Sequence, residues 1–141
     1  MAQFAWTKDL YTRNALIDGD HARLVELVNA FIASMENGES NERMVGAMGD
    51  LIACAGEHFG REEAEMERIA YVAALAHQAE HSKLLRQLVE LKDMLEAGGK
   101  INVPALSDFL GIWLRDHILA ADMKLAAALK RYRPESTRQL H

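Results

Sequence analysis

His58 and Glu62 stand four residues apart, as do His77 and His81, and nineteen residues separate His58 from His77. Four residues of α-helix are about 40° of rotation, so each pair shares one helical face. Both pairs can serve one site only if the chain turns back between them. Nineteen residues of unbroken helix, at about 1.5 Å each, would hold His58 and His77 roughly 28 Å apart. A shared site therefore demands a helical hairpin with its turn near residues 67–72, although Glu67-Arg-Ile-Ala-Tyr-Val72 contains neither Gly nor Pro to mark it.

The rest of the chain is patterned to match such a hairpin. Two prolines in 141 residues, with Ala, Leu, Glu, Met and Lys abundant, favour helix throughout. Asp18 or Asp20 is the expected N-cap of a first helix ending before Gly38. On its wheel Val25, Val28, Ile32 and Met35 fall within about 40° of His21, which puts that imidazole on the buried stripe. A second helix, after the turn Gly38-Glu-Ser-Asn41, carries Met44, Ala47, Met48, Leu51 and Ala55 on the side of His58. The third places His77 and His81 on a stripe with Ala70, Ala73, Leu84, Leu88, Leu91 and Leu95, and Gly98-Gly99 stops it. The fourth opens at Asn102 to Pro104 and runs to about Tyr132.

On that fourth helix His117 and Asp122 are five residues apart, hence about 140° in azimuth, and the apolar residues Leu110, Leu114, Ile118, Ala121, Leu125 and Leu129 lie between them. The two polar groups are expected to flank the stripe and lean inward from either side. The implied architecture is all-α: an antiparallel, up-down-up-down four-helix bundle with an irregular N-terminal arm. One domain over residues 1–141 is expected, with the arm at 1–17, the bundle at about 18–132 and a polar tail at 133–141. Phe4, Trp6, Tyr11 and Leu16 are candidates to lie over the bundle from the arm.

A net charge of −5 without a basic block argues against nucleic acid and against an anionic membrane surface. No apolar run approaches the 18 or so residues of a membrane span, and the N-terminus shows no signal-peptide pattern. Cys54, the lone cysteine, allows no internal disulfide, which together with the missing leader points to a soluble cytoplasmic protein. Cys54 itself reads as a small buried hydrophobe one turn before His58, Met44, Met48 and Met66 as core filling, and His141 as a tail residue.

One imidazole on an apolar face is ordinary. Five of them with two carboxylates on or beside the same buried faces need a common partner, because ionised carboxylates are costly to bury unless paired or metal-bound. Imidazole with carboxylate suits iron, zinc or manganese alike. His77-x-x-Glu80-His81 also matches a zinc-peptidase pattern, but Glu80 lies off the ligand face and the other candidates would be left over. The E-x-x-H pairs of ferritin-like carboxylate sites are absent. Glu63, about 140° from His58 in azimuth, reads as a solvated helix residue.

Taken together, Trp6, Asp18-x-x-His21, His58-Phe59 followed by Glu62-Glu63 and Met66, His77-x-x-x-His81, and Trp113-Leu114 before His117-x-x-x-x-Asp122 resemble the hemerythrin family, specifically its bacterial single-domain members. The resemblance spans about residues 4–130. It implies two non-heme iron ions with an oxo or hydroxo bridge. His77, His81 and His117 would hold one iron, His21 and His58 the other, and Glu62 and Asp122 would bridge them. It further implies reversible O2 binding, with O2 as the small-molecule ligand, in carriage, storage or delivery rather than in catalysis. Leu114, Ile118, Trp113 and Phe59 are the candidate apolar wall of the O2 pocket. An O2 or redox sensing module, and a di-iron oxidase, peroxidase or nitric-oxide-handling protein, are the alternatives. No protein partner is legible.

Overall fold

The computed structural model describes residues 7–134; Phe4, Trp6 and the tail from residue 135 lie outside them. A short 3-10 turn, Lys8–Leu10, precedes helices α1 (Ala15–Glu36), α2 (Asn41–Arg68), α3 (Ala74–Glu96), α4 (Val103–His117) and α5 (Met123–Arg131), with a π-helical turn, Ile118–Asp122, joining the last two. As α4, the π-turn and α5 form one rod, the architecture is the expected antiparallel four-helix bundle. Helix α1 packs on α2 and on α4, and α2 on α3. Two grooves of about 580 and 480 Å³ run along the seam between α3 and α4, the smaller reaching His117.

The helix starts follow from side-chain caps. Asn14, Ser40 and Asn102 each accept the backbone N–H three residues on, offsetting a donor the first helical turn leaves unpaired. The expected cap of α1 was Asp18 or Asp20, so the helix begins earlier than the sequence suggested. Asp18 is instead a brace: its carboxylate accepts from Thr12 N at 2.8 Å, Thr12 Oγ1 at 2.7 Å and Arg13 N at 3.1 Å. Of the expected arm residues, Leu16 sits inside α1 and is half exposed, and Tyr11 is exposed, whereas Leu10 is the one that enters the core.

Three helices end in the same hydrogen-bonded motif. Gly38 N and Glu39 N reach back to Met35 O and Ser34 O after α1, and Gly98 N and Gly99 N to Leu95 O and Met94 O after α3. After α2, Ala70 N and Tyr71 N bond to Glu67 O and Met66 O. The motif requires a left-handed residue, supplied by Gly38 (φ 67°), Gly98 (φ 82°) and, between α2 and α3, by Ala70 (φ 50°). This is the demanded hairpin turn. Tyr71 and Met66 pack in one apolar cluster with Ile17 and Leu125, which fastens the turn to the core. Ala70 and Ala73, expected on the α3 stripe, are exposed turn residues because α3 starts only at Ala74.

The main core runs the length of the bundle through Leu24, Val28, Phe31, Ile32, Met48, Leu51, Leu88 and Leu110, all nearly or wholly buried. No helix of the described residues is long and apolar enough to cross a membrane.

Candidate metal centre

Buried among these apolar side chains is a compact polar cluster. His21, His58, Glu62, His77, His81, His117 and Asp122 are each at most 4% exposed. They form two overlapping groups of potential ligand atoms. Glu62, His77, His81, His117 and Asp122 make one and His21, His58, Glu62 and Asp122 the other, with all atoms of a group within 4.8 Å of one another. All seven sequence candidates are thus brought together, one from α1, two from α2, two from α3 and two from the α4–α5 rod.

The fourth contribution differs from expectation in its cause. His117 and Asp122 do not flank the stripe and lean inward. The chain between them is π-helical, with Met123 N–H donating to Ile118 O five residues back. That wider turn brings residues five apart onto one face, and His117 Nε2 lies 3.0 Å from Asp122 Oδ1.

The two carboxylates are shared in a specific way. Asp122 turns Oδ1 to His77 (3.0 Å) and His117 (3.0 Å), and Oδ2 to His21 (2.6 Å) and His58 (3.5 Å). Glu62 turns Oε1 to His81 (3.0 Å), His77 (3.4 Å) and His117 (3.9 Å), and Oε2 to His58 (3.2 Å). Each carboxylate therefore presents one oxygen to the three-imidazole group and the other to the two-imidazole group. Every imidazole presents Nε2.

Burial alone would strip charge from all these groups, but their mutual contacts win. Glu62 is held far below the usual carboxylate range: desolvation pushes it up, and the close imidazoles of His117, His58, His77 and His81 more than offset that. Asp122 is held low by His117, His21, His58 and His77 against the same penalty. Conversely, Asp122 and Glu62 overcome desolvation to push His58 up to about 10 and His77 to about 9, and with Glu80 added, His117 to about 11.

The atoms present fit a metal site. His58 Nε2, Glu62 Oε2 and His117 Nε2 are completely buried, yet no hydrogen bond of good geometry satisfies them. Buried polar atoms are rarely left so, and all three face the cluster interior. Seven nitrogen and oxygen donors, with two bidentate-capable carboxylates shared between two overlapping groups, are a donor set that suits a metal site.

Three carboxylates that the sequence reading passed over stand behind the imidazoles. His58 Nδ1 donates to Asp20 Oδ2 at 3.0 Å, His81 Nδ1 to Glu63 Oε2 at 2.9 Å, and His117 Nδ1 to Glu80 Oε1 at 2.8 Å. Glu63 is therefore not simply solvated, and Glu80, off the ligand face as expected, is engaged there. A signal existed, since each of the three adjoins a cluster residue in sequence: Asp20 beside His21, Glu63 beside Glu62, Glu80 beside His81.

Of the apolar candidates, Phe59 stacks on His81 with ring centroids 3.9 Å apart and lies 5.5 Å from His117 and 5.7 Å from His58. Leu114, Ile118 and Trp113 are buried with it in the main core. Cys54 is half-buried and packs against the same core, and burial pushes its thiol up.

Residues 12–129 match the model of the hemerythrin HHE cation binding domain. The chain is 28% identical over 130 residues to a bacteriohemerythrin of Pseudomonas paraeruginosa, covering 92% of this chain and 84% of that protein. With a bacteriohemerythrin of Methylococcus capsulatus it shares 29% identity over 125 residues, 86% of this chain and 93% of the relative. A crystal structure of wild-type hemerythrin superposes with a TM-score of 0.82 at 28% identity, covering 91% of this chain and 98% of the other.

Proposed function

Because the chain belongs to the hemerythrin family, we propose that it binds O2 reversibly at a pair of non-heme iron ions, as a carrier, store or delivery protein of the cytoplasm. Family membership supports an O2-binding or O2-sensing kind of function at a di-iron site, in a family made up mainly of O2-binding proteins rather than enzymes.

The observation that carries the reading is the split of Glu62 and Asp122, each with one oxygen toward the group of His77, His81 and His117 and the other toward the pair His21 and His58. In this reading His77, His81 and His117 would hold one iron, His21 and His58 the other, and the two carboxylates would bridge them. Two ferrous ions would supply the electrons that O2 takes up and returns. The two-imidazole side offers fewer protein donors, which leaves room there for a small ligand. The protein's own contribution is to exclude water. Phe59, Trp113, Leu114 and Ile118 are at most 6% exposed, and a dry, apolar surround denies protons to a reduced oxygen ligand.

The test is an optical titration of the iron-loaded, diferrous protein with O2. A carrier develops an oxygenated charge-transfer band that reverses when O2 is withdrawn. It loses that band faster in Leu114→Ala or Leu114→Tyr, which admit water or supply a proton donor, with iron content unchanged. Catalytic O2 consumption by wild type without any such band would overturn the carrier reading in favour of an oxidase.

A further inference from the structure

The carboxylates behind the imidazoles follow a rotation around the bundle. Asp20 on α1 holds His58 on α2, Glu63 on α2 holds His81 on α3, and Glu80 on α3 holds His117 on α4. On α1 and α3 the carboxylate precedes its cluster neighbour by one residue, and on α2, which runs the opposite way, it follows by one. In antiparallel helices that alternation of sign is the same sense of turn, about 100° from the ligand face toward the next helix. The rotation stops at the α4–α5 rod, where Ile118 and Met123 follow the cluster residues.

The three carboxylates differ in what neutralises them. Asp20 accepts a two-pronged contact from Arg61, Nε at 2.9 Å and Nη2 at 2.6 Å, on the same carboxylate that receives His58. Among the described residues, no Lys or Arg pairs with Glu63 or Glu80. A carboxylate accepting from the far nitrogen of a ligating imidazole fixes its orientation and raises its donor strength, and a guanidinium on that carboxylate weakens the effect.

We propose that Asp20, Glu63 and Glu80 are positioning residues for His58, His81 and His117, and that Arg61, by neutralising Asp20 alone, makes the three-imidazole side of the cluster the more electron-rich. This rests on the di-iron reading above. The uncompensated pair, Glu63 and Glu80, stands behind that side, while the one carboxylate behind the two-imidazole side is masked. The net effect of Glu80 on the bound metal is to lower its reduction potential, and that of Arg61 is to raise it.

The test is the midpoint potential of the iron-loaded full chain, with chelator-resistant iron per chain measured alongside. Glu80→Gln keeps an oxygen acceptor for His117 but removes the charge, so the midpoint shifts upward with iron retained. Arg61→Gln, at a side chain 43% exposed, shifts it downward. In an Asp20→Asn background the Arg61→Gln shift shrinks, because its route through the carboxylate is gone. Shifts of the same sign, no shift, or a full Arg61→Gln shift in the Asp20→Asn background would each overturn the proposal while leaving the di-iron reading intact. A wild-type chain that retains no iron would overturn the di-iron reading itself, and this inference with it.

Discussion

His117 Nε2 and Asp122 Oδ1 are 3.0 Å apart although five residues separate them, and the π-turn at Ile118–Asp122 is what closes the gap. In a plain α-helix it is residues four apart that share a face, so the π-turn amounts to one extra residue accommodated at the site. Removing that residue should therefore be absorbed. Deletion of Ala120, which is exposed, converts the turn to α-helix and leaves the aspartate four residues after His117. We expect a folded bundle that loses no more than about 1–2 kcal/mol and still binds metal. The same deletion at exposed Ile112 has no π-turn beside it and rotates Leu106 and Leu110 out of register with Trp113, Leu114 and His117. Thermal melts and metal analysis of the two deletions should diverge, and equal damage from both would refute this account of the turn.

Ala70 is the cheapest place to improve the fold. It holds the left-handed position at the end of α2, at φ 50°, that Gly38 and Gly98 fill elsewhere. An L-residue there costs about 1–2 kcal/mol, partly offset by the greater freedom glycine would bring to the unfolded chain. Ala70→Gly should raise the denaturant midpoint by a net stabilisation of about 0.5–1 kcal/mol, with the slope unchanged. Gly38→Ala and Gly98→Ala, where an added Cβ meets nothing, should lose about the same through backbone strain alone.

That same alanine explains where the sequence stopped being readable. The spacing of His58, Glu62, His77 and His81 made a hairpin obligatory, yet its turn carries no Gly or Pro, so it could be inferred only from the geometry of the site. His21, Val25, Val28, Ile32 and Met35 were legible as one buried stripe because 3.6-residue periodicity needs no tertiary knowledge. The π-turn escaped because five-residue spacing on an assumed α-helix reads as divergence. Glu63 and Glu80 escaped because a residue 100° off the ligand face looks solvated on its own helix, and only the position of the next helix shows what it meets. Only Asp18 and Asp20 were expected as the cap, and Asn14 was missed, because all three are good capping types and the choice turns on where Thr12 and Arg13 place their N–H groups.

The shared carboxylates should dominate the stability of the centre. Asp122 is fully buried and faces His21, His58, His77 and His117. Asp122→Ala strands imidazoles that its charge holds, and breaking a buried set of this kind costs about 3–5 kcal/mol. Glu62→Ala should cost a similar amount, and both variants should lose the paired metal site. By contrast Arg23 and Glu26 form an exposed pair, 58% and 71% accessible, and Glu26→Ala should stay within about 0.5 kcal/mol of wild type. Calorimetry and metal analysis on the three variants check the ranking, and an Asp122→Ala chain as stable as Glu26→Ala would contradict it.

Protons and metal ions should compete for this core, and the direction follows from the shifts. His58, His77 and His117 rise from an ordinary value near 6.5 to about 10, 9 and 11 in the metal-free fold. A raised folded-state pKa contributes stability that is complete below about pH 6.5 and is lost as pH climbs through the folded values. Glu62 and Asp122 are depressed, so their contribution is present above about pH 4 and is lost only as pH falls below the ordinary carboxylate range. The metal-free protein should therefore melt highest near pH 5–6.5 and progressively lower from pH 7 to 11. Bound cations need the imidazole lone pairs that those protons occupy, so loading near neutral pH should release protons, and metal affinity should rise with pH. Anaerobic addition of ferrous iron to a weakly buffered, chelator-treated sample gives the proton count directly. A melting temperature flat across pH 7–11 without metal, or iron uptake with no acidification, would mean that the imidazoles are neutral before the metal arrives and that the carboxylates hold them by some other means.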